Sequence, residues 1–209
     1  MNPDADALAP RVYLVDDEQA VREALEFLLH SRGLVVQAFA NAPELLESLA
    51  PPERLRGCFL LDVRMEPMSG LALHSELLLR GVRNPVLLMT GHGDIPMAVE
   101  ALKKGAFDFL EKPYSDNTLV DRLEQALAVD AAMHDRQASG AERRARLASL
   151  TEREQEVMRC VAQGKLNKVI ADELGIAVRT VEVHRARVFS KLGVRSAPEV
   201  ATLLAQTAQ

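Results

Sequence analysis

Long hydrophobic runs are missing from these 209 residues. None approaches the ~18 to 20 apolar residues that a bilayer-crossing helix needs, which excludes a helical membrane protein. Cysteine is almost absent too, with only Cys58 and Cys160. Two isolated thiols without close spacing exclude a disulfide framework or a cysteine metal site, and leave reduced, structural roles. The opening residues, Met1-Asn2-Pro3-Asp4-Ala5-Asp6, have neither a basic start nor an apolar core. They read as a disordered tail over residues 1–10, not as a signal peptide. No heptad pattern persists long enough for a coiled coil. The expectation is a cytoplasmic protein that does not enter a membrane.

What is present is ordinary in amount and uneven in placement. A hydrophobic content of 48% with 26% charged residues fits a globular chain, and the length suggests one to two domains. The net charge of -5 conceals an asymmetry. Residues 1–120 hold 11 Lys/Arg against 18 Asp/Glu, while residues 151–209 hold 9 against 7. Residues 179–195 contain five basic side chains and one acid, Glu182. An acidic half joined to a locally basic one points to two jobs in one chain.

The first half alternates short apolar runs with helical patterns. Strands are read at 12–15, 34–39, 57–62, 85–90 and 107–111. The helices between them are closed by Gly33, Gly81 and Gly105 or opened by Pro43 and a capping Asp94. Strict alternation with short loops predicts an α/β domain, a doubly wound five-stranded parallel sheet. The run from Gly57 to Met65 is the centre of this reading, because it delivers Asp62 to a strand end. In such sheets chemistry sits beyond the carboxyl ends of the strands. The other ends carry Asp16 and Asp17, Thr90, and Lys112. Taken singly, these are helix caps, a β-branched strand residue and a surface lysine. Together they make an acidic cleft needing a cation. Carboxylates, a carbonyl and waters suit Mg²⁺, while a lysine and a hydroxyl suit a phosphoryl group.

The second half is helical. Thr151 and Glu154 form a capping box before a helix ending at Gly164. Asn167 caps a helix to Leu174, and Gly175 turns into a longer helix from about Arg179 to Leu192. Ser196 and Glu199 start a last helix with a second capping box. Two helices joined by a tight glycine-containing turn predict a helix-turn-helix within a small all-α, four-helix domain. Its second helix exposes Glu182, Val183, Arg185, Ala186 and Arg187, while Val181, Val188 and Leu192 face inward. Between the halves, residues 126–147 read either as a flexible linker or as an extension of the preceding helix.

These motifs carry two resemblances. Residues 11–125 resemble the flavodoxin-like receiver domain of two-component response regulators. The match rests on Asp16-Asp17, Asp62, Thr90 and Lys112-Pro113, with Leu61-Asp62-Val63-Arg64-Met65 closest to the FixJ branch. The resemblance implies that Asp62 accepts a phosphoryl group from a sensor histidine kinase, with Thr90 and Lys112 contacting its oxygens. It implies Mg²⁺ bound by Asp17, Asp62 and the Arg64 backbone carbonyl, with Asp16 acting through water. Thr90 and Phe109 would form the switch pair, although Phe109 reads equally well as a strand core residue. Lys112-Pro113 would be cis. One departure lies beside the cleft: Met65-Glu66-Pro67-Met68 stands where the family has Met-Pro-Gly-Met, so this loop should differ in shape.

Residues 148–209 resemble the LuxR-type DNA-binding domain through Thr151-Glu152-Arg153-Glu154, Asn167-Lys168, Ile170-Ala171, Thr180-Val181-Glu182-Val183-His184-Arg185 and Lys191-Leu192-Gly193-Val194. The resemblance implies a helix in the major groove of double-stranded DNA, with Glu182, Val183 and Ala186 toward bases and Arg185 and Arg187 close by. Lys168, Arg179, Thr180 and Lys191 then fall to the phosphate side, and Asn167 is counted among the DNA-binding residues. His184 fits a packed histidine as well as a DNA contact. Ala177 replaces the usual capping Ser before this helix.

The combined expectation is a transcriptional response regulator, not an enzyme. It would dimerise and change its DNA binding on phosphorylation, working as an activator with RNA polymerase. Two other classes remain open: a constitutive DNA-binding protein with an unphosphorylated interaction module, and a Mg²⁺-dependent phosphohydrolase using Asp62. The complete helix-turn-helix argues against the hydrolase.

Overall fold

The computed structural model describes residues 9–91 and 95–206. Most of the tail read over residues 1–10, and the capping role read for Asp94, therefore lie outside the described residues. The chain divides into two compact units, 1–133 and 134–209.

The first unit contains strands β1 (Arg11–Val15), β2 (Val36–Phe39), β3 (Gly57–Asp62), β4 (Val86–Thr90) and β5 (Asp108–Glu111). Between them run α1 (Gln19–Ser31), α2 (Ala42–Ser48), a 3₁₀ turn at Pro52–Arg54, α3 (Gly70–Leu79) and α4 (Ile95–Lys103). Helix α5 (Asp116–Ala148) follows β5. All four strand pairings are parallel, in the order β2-β1-β3-β4-β5. The chain winds outward from β1 to β2, then crosses back to β3. That reversal opens a crevice between the carboxyl ends of β1 and β3, where Asp16, Asp17 and Asp62 stand.

Every residue of β3 and β4 is buried, which explains their unbroken apolar runs. Side chains of alternate residues leave the sheet on opposite faces. Tyr13, Val15, Phe59, Leu61 and Leu88 pack under α2, α3 and α4, with Tyr13 stacked on Phe59 at 4.9 Å between ring centroids. Val12, Leu14, Cys58, Leu60 and Met89 pack against α1 and α5 on the other side. Two glycines are dictated by close approach. A side chain at Gly57 (φ +111°) would run into the Arg11 backbone, and one at Gly70 into the Asp62 carbonyl.

Helix α5 buries Leu119, Val120, Leu123 and Ala126 as its stripe requires, and then an acid, Asp130, 1% exposed. Asp130 accepts hydrogen bonds from the Gly57 amide (2.8 Å) and Asn84 Nδ2 (2.9 Å), and faces Arg56 Nε at 3.6 Å. It thereby ties α5 to the amino edge of the sheet. Ala126 and Asp130 both fall in the stretch 126–147, read from sequence either as a flexible linker or as an extension of the preceding helix; it is helical in this structure.

The second unit packs α6 (Glu152–Ala162), α7 (Asn167–Leu174), α8 (Val178–Leu192) and α9 (Ala197–Ala205) around Val157, Val161, Ile170, Val181, Val188 and Leu192. The Thr151–Glu154 capping box forms. Two end signals differ from expectation. Asn167 lies inside α7, whose cap position is Leu166 and carries no side-chain cap bond. At α9 the Ser196 hydroxyl caps the Glu199 amide as expected, but the Glu199 carboxylate reaches the Arg195 amide, one residue before the cap, and the Ser196 hydroxyl. Arg146 donates to the Leu192 carbonyl that ends α8, and Gly193 (φ +68°) completes that end.

Candidate functional site

The carboxyl edge of the sheet gathers the strand-end residues. Lys112 Nζ lies 2.6 Å from Asp62 Oδ1 and 3.6 Å from Asp16 Oδ2. The other Asp62 oxygen accepts the Arg64 amide at 2.8 Å. Asp16 is 1% exposed; its Oδ1 accepts the Glu18 amide, while its buried Oδ2 has no hydrogen-bond partner. Burial, with the charges of Asp62 and Asp17 adding to it, pushes the Asp16 carboxyl above its ordinary value, against the opposing Glu18 amide and Lys112. Burial alone would lower Lys112. The hydrogen bond and charge of Asp62 outweigh it, and the net shift is upward. Asp17 is exposed, and its Oδ2 accepts the Glu66 amide at 3.3 Å.

Two carboxylates, Asp16 and Asp62, thus face one ammonium, with exposed Asp17 next to Asp16 in the chain and one buried oxygen unsatisfied. That imbalance fits a hard cation. Among the described residues no three His, Cys, Asp or Glu side chains are grouped closely enough to hold a metal ion by themselves. A cation here would need the main-chain carbonyl and water ligands that Mg²⁺ commonly keeps. The Met65–Met68 loop that departs from the family pattern has a cis Glu66-Pro67 bond, and Lys112-Pro113 is cis as well.

Thr90 is fully buried, and its hydroxyl donates to the Gly91 carbonyl at 3.3 Å, not to Asp62. Phe109 is half-buried beside Leu88, its register partner, on the same sheet face as Thr90. Two neighbours were not read from sequence. Arg22 Nη1 donates to the Asp16 carbonyl at 2.8 Å, and the Tyr114 hydroxyl donates to Met89 Sδ at 3.0 Å. An arginine one turn into α1 was the available signal for the first. The Tyr114 contact crosses between a loop and β4 and leaves none.

In the second unit Lys168, Arg179, Thr180, Glu182, Val183, Ala186 and Arg187 are exposed. Three of the residues read as DNA contacts also have partners inside the domain. Arg185 is half-buried, donates to Asn167 Oδ1 at 3.0 Å and lies over the Phe189 ring at 5.2 Å. That bond also occupies Asn167. Lys191 Nζ pairs with buried Glu154 at 2.6 Å and donates to the Ser149 carbonyl. These three side chains are held by protein partners because long cationic groups find acceptors across packed helices. His184 is half-buried, with Nδ1 buried and unpartnered. Ala177 makes no cap bond to α8, as its side chain dictates.

Comparison with known proteins agrees with both halves. Residues 12–124 match the response regulator receiver domain, and residues 148–204 match the bacterial regulatory proteins of the luxR family. The chain is 45% identical over 189 residues to the transcriptional regulatory protein FixJ of Azorhizobium caulinodans, covering 90% of this chain and 89% of that one. It is 47% identical to the C4-dicarboxylate transport transcriptional regulatory protein DctR of Rhodobacter capsulatus, covering 92% and 98%. Among solved structures, the response regulator StyR superposes with a TM-score of 0.86 at 41% identity, covering 94% of this chain and 98% of that one. Among the described residues no helix is long and apolar enough to cross a membrane. The chain belongs to the two-component response regulators that join a receiver to a LuxR-type DNA-binding domain, a family of transcription regulators and not of enzymes.

Proposed function

We propose that this regulator is switched by phosphorylation of Asp62 from a partner histidine kinase, and that the phosphorylated form dimerises on DNA to activate transcription with RNA polymerase. The observation carrying this reading is the Asp62–Lys112 pair at 2.6 Å in a cleft with an unsatisfied Asp16 oxygen. An Asp62 carboxylate oxygen attacks the phosphorus of the kinase's phosphohistidine. The O–P bond forms as the P–N bond breaks, and the departing imidazole takes up a proton. Lys112 moves from the carboxylate to the phosphoryl oxygens, and the Arg64 amide holds the second Asp62 oxygen in place. Mg²⁺, held by Asp17, Asp62 and the Arg64 carbonyl with Asp16 through water, would neutralise charge on the transferred group.

Thr90 leaves its long bond to Gly91 to reach the phosphoryl group, and Phe109 fills the space it vacates on the same face. Met97 and Val99, exposed on α4, then become part of the dimer contact. In the second unit Glu182, Val183 and Ala186 on α8 meet base edges, with Arg187 beside them, while Lys168, Arg179 and Thr180 meet phosphates. The amides at the uncapped start of α8 are also suited to a phosphate.

The test is molar mass by light scattering with Mg²⁺ and beryllofluoride, for wild type and Asp62→Asn, beside intact mass after treatment with acetyl phosphate. A dimer and one added phosphoryl group in wild type, both absent in the variant, are expected. Phosphoryl uptake that survives Asp62→Asn would sink the assignment.

A further inference from the structure

Away from the phosphoacceptor cleft, a groove runs between α3 and α4. Its larger part is a cavity of about 730 Å³ bordered by His74, Leu78, Val82, Arg83, Val86 and Lys104. A smaller part of about 340 Å³ continues past Leu71, Pro96, Met97 and Ala101. His74, Ser75 and Lys104 border both. Ligand sites typically measure about 300–1,000 Å³ and combine apolar walls with a few polar groups, as here.

Two of those polar groups lack a partner. His74 is 2% exposed, yet its ring makes no hydrogen bond to any described residue. Burial, and then the Lys104 charge, hold it below its ordinary value, so at neutral pH it is an uncharged donor and acceptor. Lys104 forms no ion pair with any described residue. Arg83 adds a second positive charge, although its Nη1 is engaged by the Leu78 and Val82 carbonyls. Glu100, one turn before Lys104, is the single acid on the border among the described residues. The groove is therefore apolar along its length and electropositive where the two unpartnered groups meet.

We propose that this groove binds a small amphiphilic anion, an aromatic or branched aliphatic carboxylate or sulfonate. Its apolar body lies along the leucine and valine walls, and its anionic group sits between Lys104 and His74. Such a ligand bridges α3 and α4 and gives the receiver a second input.

The test titrates the full chain with anilinonaphthalene sulfonate, a fluorescent amphiphilic anion, and with the uncharged N-phenyl-naphthylamine. One saturable site is expected for the sulfonate, weakened about five-fold by Lys104→Met, as for a charge contact from an exposed lysine. Ser75→Phe, a change at an exposed position bordering both cavities, should abolish it, and Lys103→Met should leave it unchanged. Far-UV circular dichroism checks that each variant is folded. Equal affinity for the uncharged probe, or indifference to Lys104→Met and Ser75→Phe, overturns the proposal. So does a concentration-dependent rise in mass that Ser75→Phe removes without any saturable probe binding, because the groove would then seat a second copy of the chain.

Discussion

Replacing Asp130 by alanine should unseat the amino edge of the receiver sheet. The carboxylate accepts from the Gly57 amide at 2.8 Å and from Asn84 Nδ2 at 2.9 Å. Hydrogen bonds to a charged acceptor contribute about 1.5–3 kcal/mol each, and a buried donor left alone carries its full desolvation cost. Asn84 keeps the Leu55 and Gly57 carbonyls, so its share is at the low end. The Gly57 amide gains no substitute. Arg56, whose side chain is 26% exposed, can turn to water and adds at most about 1 kcal/mol. The sum is about 3–4 kcal/mol, a large part of a typical domain's stability. Asp130→Asn should recover less than half, because its amide NH₂ must face one of two donors. The assay is urea unfolding of the full chain read by tyrosine fluorescence. The chain has no tryptophan, and both tyrosines, Tyr13 and Tyr114, lie in the first unit. With a urea slope of about 2 kcal/mol per molar, the midpoint should fall by about 2 M. A fall under about 0.5 M, or an equal fall in Arg56→Ala, would refute the reasoning.

Other predictions concern the second unit. Ala177→Ser should restore the missing cap of α8 and stabilise the unit by about 1 kcal/mol, read by thermal melting in far-UV circular dichroism. Lys191→Met should strip the buried Glu154 carboxylate of its counter-charge and cost about 1–3 kcal/mol at neutral pH. The hydrogen bond from Lys191 holds Glu154 below its ordinary value, so the stability this pair contributes is complete above that value and disappears as pH falls through the depressed one. The gap between wild type and variant should therefore begin to close as pH falls below the ordinary glutamate value of about 4.3; a gap that stays constant through acid unfolding would show that the pair contributes nothing. Arg179→Ala should weaken DNA binding and reduce the salt slope by about 1 without altering the melt. Arg185→Ala should instead lower the melting temperature through loss of Asn167 and Phe189, and an unchanged melt would contradict that placement.

The strands, their parallel direction and the cleft were legible because each rests on a local signal. Apolar runs such as Cys58-Phe59-Leu60-Leu61 need burial on both faces, and although an acid at one strand end reads singly as a cap, acids, a hydroxyl and a lysine at the ends of four strands read together as a cleft. The Thr151–Glu154 box was legible for the same reason, since both partners lie three residues apart. Long-range partnerships were not. An aspartate in the polar continuation of α5 looks solvated, and only the fold brings Gly57 and Asn84 to it. Arg185 and Lys191 carry the composition of a DNA-facing helix, but their partners, Asn167 and Glu154, come from other helices. Asn167 resembles a cap in sequence and is one residue too late in space.

Cys58 sits fully buried within β3, and burial lifts its thiol to about 12. Cys160, the other thiol, is also buried and raised, and lies in the second unit. Since the thiolate is the reactive form, neither sulfur is available to oxidants or alkylating reagents while its surroundings stay closed. Both thiols are thus slow to react at rest, and the protein holds one dormant tag per unit. Each tag wakes only when its own half opens, so labelling kinetics time the breathing of the two halves separately in one intact chain.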